Sequence, residues 1–370
     1  MRVGNAGQPI DLRSDTVTKP TREMLDAMAR ADLGDDFFRD DPTVMAFEEE
    51  AADLLGLEAA MLVISGTMGN IVSCLAQSSR GESFIVESRA HIQINESGWP
   101  STLAGLTPRP VTGTNGVISP QSLEEAIQDS RSRLGVPSSL LCLENTHNAA
   151  GGRVMTPAQI ATLAGLAHTN GLRVHLDGAR IFNASVALNA PVREFVRDVD
   201  TATFCLSKGL SCPLGAVVAG GADVVKEARR WRQVVGGGMR QAGIIAAAGQ
   251  VALRTMVDRL QQDHENARLL ASRLQAAGFD IDVQAVETNI LFVKLPEHGF
   301  DPHLLHAGLI GRGVVVNPPR GGRVRLVIHR HVSKSDAMTA ADLFIEAFHA
   351  AQGEDGSPDQ RRVADGAAVY

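Results

Sequence analysis

Residues 201–209, TATFCLSKG, decide the fold that the sequence predicts. The apolar run ends at Ser207 and Gly209, which is typical of a buried strand that leaves the core through a tight turn. Lys208 lies in that turn, and lysine is almost never fully buried unless a partner compensates its charge. Lys208 is therefore either a surface lysine whose stem covers apolar groups or a reactive amine. This segment alone leaves both interpretations open.

A second apolar strand lies upstream, at residues 172–180, LRVHLDGAR, and ends in Asp177, Gly178 and Arg180. If both strands belong to one parallel sheet, their carboxyl ends open at the same edge, where open α/β sheets bind ligands. A lysine that forms an imine with pyridoxal phosphate needs a carboxylate against the pyridine nitrogen, because protonation there makes the ring an electron sink. Asp177 and Lys208 would then face one cofactor.

Length and composition limit the alternatives. A chain of 370 residues is long for one hydrophobic core, so we predict a large domain that holds the site and a smaller one. The net charge of -7 argues against a nucleic-acid partner. No apolar stretch approaches the roughly eighteen residues of a membrane span and the N-terminus lacks the apolar core of a signal peptide, so we expect a cytoplasmic protein without a membrane partner.

The four cysteines lie mostly in apolar segments without a C-x-x-C spacing. This favours packed thiols over disulfides or a metal site, and we predict no metal ligands. The cysteines are Cys74, Cys142, Cys205 and Cys212.

The pattern along the chain predicts four regions. These are an extended N-terminal arm (1–20), a large α/β domain (21–265), a small C-terminal α+β domain (266–352) and a disordered polar tail (353–370). Asp41 as N-cap, Pro42 as first helical residue and Gly56 as stop predict one helix. We predict further helices from about 21 and at 66–77, 122–133, 157–170, 223–235, 243–277, 302–309 and 335–350. Strands are predicted at 59–65, 84–87, 139–143, 172–180, 201–206, 215–221, 288–295, 314–316 and 323–329.

Several segments at strand ends carry candidate site residues. Gly66 to Asn70, GTMGN, leads from a strand into a helix N-terminus, which suits a phosphate, although glycines at such turns are ordinary. His91 follows the next strand and is either a structural histidine or a group that stacks on a cofactor ring. The hydrogen-bonding side chains of residues 144–148, ENTHN, are hard to satisfy in a core, so we interpret them as part of a site.

Two loops leave structural and functional interpretations open. Three glycines beside Arg240 form either an anion-binding nest or a plain loop between helices. Phe37 and Phe38 lie in an otherwise charged loop and favour a loop anchor or an oligomer contact over a ligand contact.

Taken together, these segments resemble the low-specificity L-threonine aldolases, which are fold-type I pyridoxal-phosphate enzymes. The resemblance runs from about Ile10 to at least Arg325, and the combined set is specific although no single fragment is. The segments are, in order, IDLRSDTVT, GDDFFRDDPTV, SGTMGN, LENTHN, HLDGARIFNA, CLSKGL and GGGMRQ. The resemblance implies a large pyridoxal-phosphate-binding α/β domain with a mainly parallel sheet and a small C-terminal α+β domain.

The resemblance also implies a role for each candidate residue. For the cofactor, pyridoxal 5'-phosphate, Lys208 would be the imine-forming amine, Asp177 would bind the pyridine nitrogen and His91 would stack on the ring. Arg180 would also contact the cofactor. The phosphate would be bound by Gly66, Thr67 and Ser207, with Arg240 of a neighbouring subunit. For the amino-acid substrate they would be Ser14, Arg180 and Arg325 on the α-carboxylate, His147 near the β-hydroxyl, and Glu96 and Phe38 beside the substrate. The family assembles as dimers of dimers with shared sites, so we expect a homo-oligomer.

Three positions depart from the family pattern. Gln233 replaces a lysine before the glycine run, which removes a positive partner of the phosphate. Phe38 replaces a tyrosine and removes a hydroxyl group. After His91 the sequence IQINESGW departs from the family, which tends to aromatic residues and then a glutamate followed by two small residues. Trp99 is bulky for that place and is expected beside the substrate.

The expected function is retro-aldol cleavage of L-β-hydroxy-α-amino acids, such as threonine, allo-threonine or phenylserine, to glycine and an aldehyde. The group that deprotonates the β-hydroxyl stays open among His147, His91 and a water held between them. One alternative keeps the cofactor and performs β-elimination or dehydration of a β-substituted amino acid. The other is a non-catalytic protein that binds pyridoxal phosphate.

Overall fold

The computed structural model describes residues 8–298 and 300–352. The tail that the sequence predicts from 353 to 370 lies outside the described residues, as do the first seven residues of the arm.

Eleven strands are formed by the described residues. They are β1 Ile10–Asp11, β2 Ala59–Val63, β3 Ser83–Glu87, β4 Thr107–Val111, β5 Ser138–Glu144, β6 Arg173–Asp177, β7 Thr201–Cys205, β8 Ala216–Gly220, β9 Ile290–Lys294, β10 Val314–Val315 and β11 Arg323–Val327.

Fourteen α-helices are found in the same part of the chain. They are α1 Arg22–Ala29, α2 Pro42–Leu55, α3 Gly66–Gln77, α4 His91–Ile94, α5 Trp99–Thr102, α6 Pro120–Ser130, α7 Pro157–Thr169, α8 Ile181–Leu188, α9 Val192–Val196, α10 Ala222–Val234, α11 Gly243–Thr255, α12 Leu260–Ala276, α13 Pro302–Gly311 and α14 Lys334–Ala351.

The central sheet has seven strands in the order β2-β8-β7-β6-β5-β3-β4. Only β8 is antiparallel to its neighbours, so the carboxyl ends of the other six strands open at one edge. The predicted α/β class with a mainly parallel sheet is confirmed. The predicted parallel pairing of the strands before Asp177 and Lys208 is also confirmed, since Asp177 at the end of β6 pairs with Thr203 of β7.

Helices cover both faces of this sheet. Along β2, Leu62 packs into a cluster with Phe47 and Phe195, whereas Met61 and Val63 pack into a cluster with Val72 on the other face. Alternate residues of a strand point to opposite faces, so burial on both sides requires a nearly continuous apolar run. The strands β3, β7 and β8 are buried along their whole length.

A second apolar cluster forms around α12, α13 and α14. The antiparallel pair β9 and β11 and the parallel pair β1 and β10 lie against it. Ile10 and Leu12 belong to this cluster, so the N-terminal arm packs with the C-terminal elements. Ser14 then caps a 3-10 turn at Asp15–Val17, which interrupts the extended arm that the sequence predicts.

The helix signals of the sequence are accurate where capping residues fix both ends. In α2 the Asp41 side chain accepts a hydrogen bond from the Val44 N–H, Pro42 is the first helical residue, and Gly56 ends the helix at a positive φ of 67°. The prediction of one helix over 243–277 is wrong, because the chain turns between Thr255 and Leu260. Thr255, Val257 and Asp258 are weak helix formers, and the turn redirects the chain towards α14.

Strand β4 and helices α8 and α9 were not predicted. Pro108 and Pro110 interrupt the β4 pattern, and proline is tolerated there because β4 is an edge strand that pairs only with β3.

Candidate active site

A buried cluster of polar side chains lies at the carboxyl ends of β6 and β7. Asp177 is the last residue of β6, and its carboxylate accepts hydrogen bonds from the Asn70 side chain (2.9 Å) and the Ala179 N–H (3.1 Å). Burial works to raise the pKa of Asp177, but the nearby His91 and Lys208 cations and the Asn70 hydrogen bond together lower it. Asp177 is therefore held as a carboxylate inside the protein.

Lys208 follows β7 and is half-buried. Its backbone carbonyl accepts a hydrogen bond from the Thr18 hydroxyl (2.8 Å), which fastens the turn to the N-terminal arm. Within the described residues, no side chain forms a hydrogen bond or ion pair with the Lys208 amine, although the amine is close enough to lower the pKa of Asp177. The structure thus brings an unpaired amine and a buried carboxylate together, as the sequence predicts.

His91 and Glu96 extend this cluster on the side of β3. The Nδ1 atom of His91 lies 2.8 Å from Glu96. One ring nitrogen of His91 and one carboxylate oxygen each of Glu96 and Asp177 lie within 4.8 Å of one another. Burial alone would lower the pKa of His91, but the hydrogen bond to Glu96 and the charge of Asp177 raise it above its ordinary value. The Nε2 atom of His91 has no hydrogen-bond partner among the described residues.

The N-terminus of α3 lies against the end of β7. A Cβ atom added at Gly66 would lie 2.6 Å from the Cys205 sulfur, and one at Gly69 would lie 2.8 Å from a methyl carbon of Thr203. These contacts require glycine and bring the first N–H groups of α3 close to the chain before Lys208. Thr67 and Ser207 are half-buried at this place. Free N–H groups at a helix N-terminus favour an anion.

The sequence model of the family described as beta-eliminating lyase matches residues 11–297. The chain belongs to the beta-eliminating lyase family. A relative from Arabidopsis thaliana, named probable low-specificity L-threonine aldolase 2, is 42% identical over 345 residues, which cover 92% of this chain and 97% of the relative. The low specificity L-threonine aldolase of Escherichia coli strain K12 is 41% identical over 333 residues, covering 90% of this chain and 97% of the relative.

A solved structure of Leishmania major threonine aldolase matches with a TM-score of 0.80 at 19% identity, covering 91% of this chain and 99% of that one. The fold of this beta-eliminating lyase is that of the fold-type I enzymes, as the sequence predicts. The protein is a lyase that uses pyridoxal phosphate.

The residues present in this lyase fit pyridoxal phosphate. The cofactor needs an amine, a carboxylate for its ring nitrogen and a phosphate site, and the cluster has Lys208, the ionised Asp177 and the N-terminus of α3 at one sheet edge. Asp177 is held as a carboxylate inside the protein, so it can pair with a protonated ring nitrogen.

Two arginines of the lyase lie beside the cluster, and one of them is already paired. Arg180 donates from Nε and Nη2 to the two carboxylate oxygens of Asp15, each at 2.7 Å, and both side chains are buried. Burial works to raise the pKa of Asp15, but the Arg180 guanidinium lowers it far below its usual range. Asn289 donates a third hydrogen bond to Asp15 (3.1 Å). Ser14 accepts from the Thr16 N–H and caps the adjacent turn.

Arg325 is the second arginine, and it is only partly satisfied. It donates to the Arg13 carbonyl (3.1 Å) and to the Asn148 side chain (2.7 Å), while its buried Nε atom has no partner among the described residues. Burial and the nearby Arg180 lower the pKa of Arg325 to about 10, against the effect of Asp15. An anion that reaches Arg325 would complete its hydrogen bonds.

His147 is fully engaged by protein groups. Its Nε2 lies 3.0 Å from Glu87, and its Nδ1 accepts a hydrogen bond from the Ala150 N–H (3.2 Å). Glu144 links the segment of His91 to the segment of His147, because its carboxylate accepts hydrogen bonds from the backbone N–H groups of His91 and Asn148. Glu87 was not among the predicted site residues, and neither were Asn70 and Asp15, since their role depends on partners distant in sequence.

The loop residues that the sequence assigns to the site contact one another and the neighbouring acidic loop. Phe38 is 70% exposed and packs edge-on against Phe37. Arg240 lies 4.9 Å above the Phe37 ring and 3.4 Å from Asp35. Gln233 is exposed, with its side chain against Gly238. The predicted contribution of Arg240 to a neighbouring subunit stays a prediction.

Trp99 was expected beside the substrate, but its ring is buried in an apolar cluster with Phe84 and Leu106. It touches the site through its indole N–H, which donates to Glu96. The predicted packed thiols are confirmed, because all four cysteines are free and buried. None of the helices in the described ranges is both long and apolar enough to cross a membrane.

Proposed function

We propose that this lyase cleaves L-β-hydroxy-α-amino acids, such as threonine, allo-threonine or phenylserine, into glycine and an aldehyde. The observation that carries the proposal is the half-satisfied guanidinium of Arg325 beside the Lys208 and Asp177 pair. A half-buried arginine whose Nε has no partner in the described part of the chain suits a carboxylate, and an α-amino acid brings its carboxylate and amine together. The names of the 42% and 41% identical relatives support the same reaction.

Arg325 holds the substrate α-carboxylate in this proposal. The Asn148 side chain can release one donor of Arg325 to the substrate, while the Arg13 carbonyl keeps the guanidinium in place. Arg180 keeps one nitrogen free of described partners, so Ser14 and Arg180 act mainly by fixing the arm around the carboxylate. A fixed carboxylate orients the Cα–Cβ bond, which lowers the entropic part of the barrier.

When bound, pyridoxal phosphate supplies an electron sink for the electron pair of the broken bond. Asp177 keeps the ring nitrogen protonated, because its own proton affinity is low. Gly66, Thr67 and Ser207 would bind the phosphate, and Lys208 would move protons at Cα.

We assign the transfer of the β-hydroxyl proton to His91. Its Nε2 is free while Nδ1 is bonded to Glu96, which is the arrangement of a general base held by a carboxylate. Both nitrogens of His147 are engaged, so His147 orients the loop and the β-substituent instead.

We also propose a homo-oligomer in which Arg240 reaches the phosphate of a neighbouring subunit. The exposed Phe37 and Phe38 beside Arg240 support a contact between copies at this loop. Phe38 then lies beside the neighbouring subunit's substrate. The cytoplasmic location expected from the sequence stays a prediction.

A product assay tests the proposed reaction. Purified enzyme with cofactor is incubated with threonine, allo-threonine and phenylserine, and glycine, aldehyde, keto acid and ammonia are measured. The proposal requires glycine and aldehyde in equal amounts. Keto acid with ammonia would establish β-elimination instead, and no turnover on the panel would support a non-catalytic protein. Lys208→Ala is the matched control for background cleavage.

A further inference from the structure

Glu96 is a buried carboxylate with donors on both of its oxygens. Its Oε1 receives the Asn70 amide (2.9 Å) and faces Nδ1 of His91 (2.8 Å), while its Oε2 receives the indole N–H of Trp99 at 2.6 Å. Trp99 is only 4% exposed, so bulk water has no access that would let it replace this hydrogen bond. The charge of Glu96 is therefore shared between His91 and two fixed neutral donors.

A second pair of residues fixes the orientation of the Asn70 side chain. Its Oδ1 accepts from the Thr203 hydroxyl (3.1 Å) and from Nε2 of His175 (3.0 Å). Burial lowers the pKa of His175 to about 4, against the charges of Asp177 and Glu96, so this imidazole is neutral and donates from Nε2. Asn70 consequently directs its two N–H groups at Asp177 and Glu96, and it cannot compensate for a donor lost elsewhere.

We propose that Trp99 is a positioning residue that sets how tightly the His91–Glu96 pair holds its proton. The indole N–H stabilises negative charge on Glu96 and so weakens the attraction of Glu96 for a proton on His91. If this donor is lost, the pair binds its proton more tightly, whichever of the two residues carries the proton.

Other charged and titratable groups face the pair and stay unchanged when Trp99 is altered. They are Asp177 and His175 from β6, Lys208 after β7, Cys74 from α3 and Glu144 from β5. None of them contacts the Trp99 indole N–H, whose partner is Glu96. A shift caused by Trp99→Phe is therefore assigned to the lost hydrogen bond.

The chain has two tryptophans, which provides a clean probe. Labelling with 5-fluorotryptophan gives one fluorine signal for Trp99 and one for Trp231, which lies on α10 beneath Arg230. Trp231→Phe assigns the signals. We expect the Trp99 signal to shift with pH in one step that belongs to the His91–Glu96 pair, and His91→Gln should remove this step. A Trp99 signal without that step would overturn the proposal, and this measurement needs no turnover.

The kinetic test rests on the proposed function. Trp99→Phe keeps a ring in the apolar cluster and removes only the donor, so the acid limb of the pH profile of kcat/KM should move to higher pH by about 0.5 to 1 unit. Trp231→Phe is the matched control and should leave the profile in place. An unshifted profile in Trp99→Phe contradicts the proposal, whereas a missing aldolase activity with an intact fluorine step contradicts only the proposed function.

Discussion

The Asp15–Arg180 pair allows a quantitative test of how the N-terminal arm is fastened to the active site. Asp15 is 0% exposed and the Arg180 side chain 5% exposed, and two hydrogen bonds of 2.7 Å join them. Asp15→Asn keeps the shape of the side chain but leaves the buried guanidinium without its counter-charge. Loss of one partner of a buried ion pair typically costs about 3–5 kcal/mol, so we expect a decrease of this size in the free energy of unfolding.

A matched control lies four residues away on the same arm. Asp11 and Arg13 form an ion pair of 2.6 Å, but the Arg13 side chain is 48% exposed. Solvent screens such a pair, so Asp11→Asn should cost no more than about 1 kcal/mol. Urea unfolding of the cofactor-saturated proteins, followed by circular dichroism at one protein concentration, gives both values. An Asp15→Asn loss no larger than that of Asp11→Asn would refute the assignment.

The pH dependence of this loss has a definite sign. The pKa of Asp15 is lowered in the folded protein, so the stability that the pair provides is present above the ordinary carboxyl pKa of about 3.9 and disappears as the pH falls below it. The difference between wild type and Asp15→Asn should therefore be constant near neutral pH and should narrow only in acid.

Two further changes test the phosphate site. Gly66→Ala places a Cβ 2.6 Å from the Cys205 sulfur, so it should destabilise the protein by about 1–3 kcal/mol and weaken cofactor retention. Cys205→Ala in the same chain should restore much of the stability and of the retention. Urea unfolding and dialysis measure the two effects, and a lack of rescue would contradict the contact. Gln233→Lys should slow the loss of pyridoxal phosphate on dialysis because it adds a positive charge, and unchanged retention would mean that position 233 does not face the phosphate.

The sequence predicts those parts of the fold that depend on local signals. Asp41, Pro42 and Gly56 define α2 because capping is decided by a few neighbouring residues. The apolar runs before Asp177 and Lys208 indicate buried strands, and the assumption that both belong to one parallel sheet, which the structure confirms, brought these two residues together in the prediction. Strand β4 escaped because its prolines obscure the alternation that marks a strand.

Partner choice could not be predicted in the same way. Arg180 is assigned to ligands by the sequence, and the structure adds a partner that the sequence did not indicate, since Nε and Nη2 bind Asp15, which lies 165 residues earlier in the chain. Trp99 looked too bulky for a substrate site, but packing turns its ring into the core and its N–H towards Glu96. Such pairings depend on the positions of whole elements, which a single sequence does not display.

The attachment point of the cofactor is the most direct test of the proposal that Lys208 holds pyridoxal phosphate. The chain contains five lysines, Lys19, Lys208, Lys226, Lys294 and Lys334, so borohydride reduction of the cofactor-bound enzyme followed by peptide mass spectrometry can distinguish them. We predict that the pyridoxyl group is found on Lys208 alone and is lost in Lys208→Ala. A label on another lysine, or a protein that stays unlabelled with excess cofactor, would contradict it.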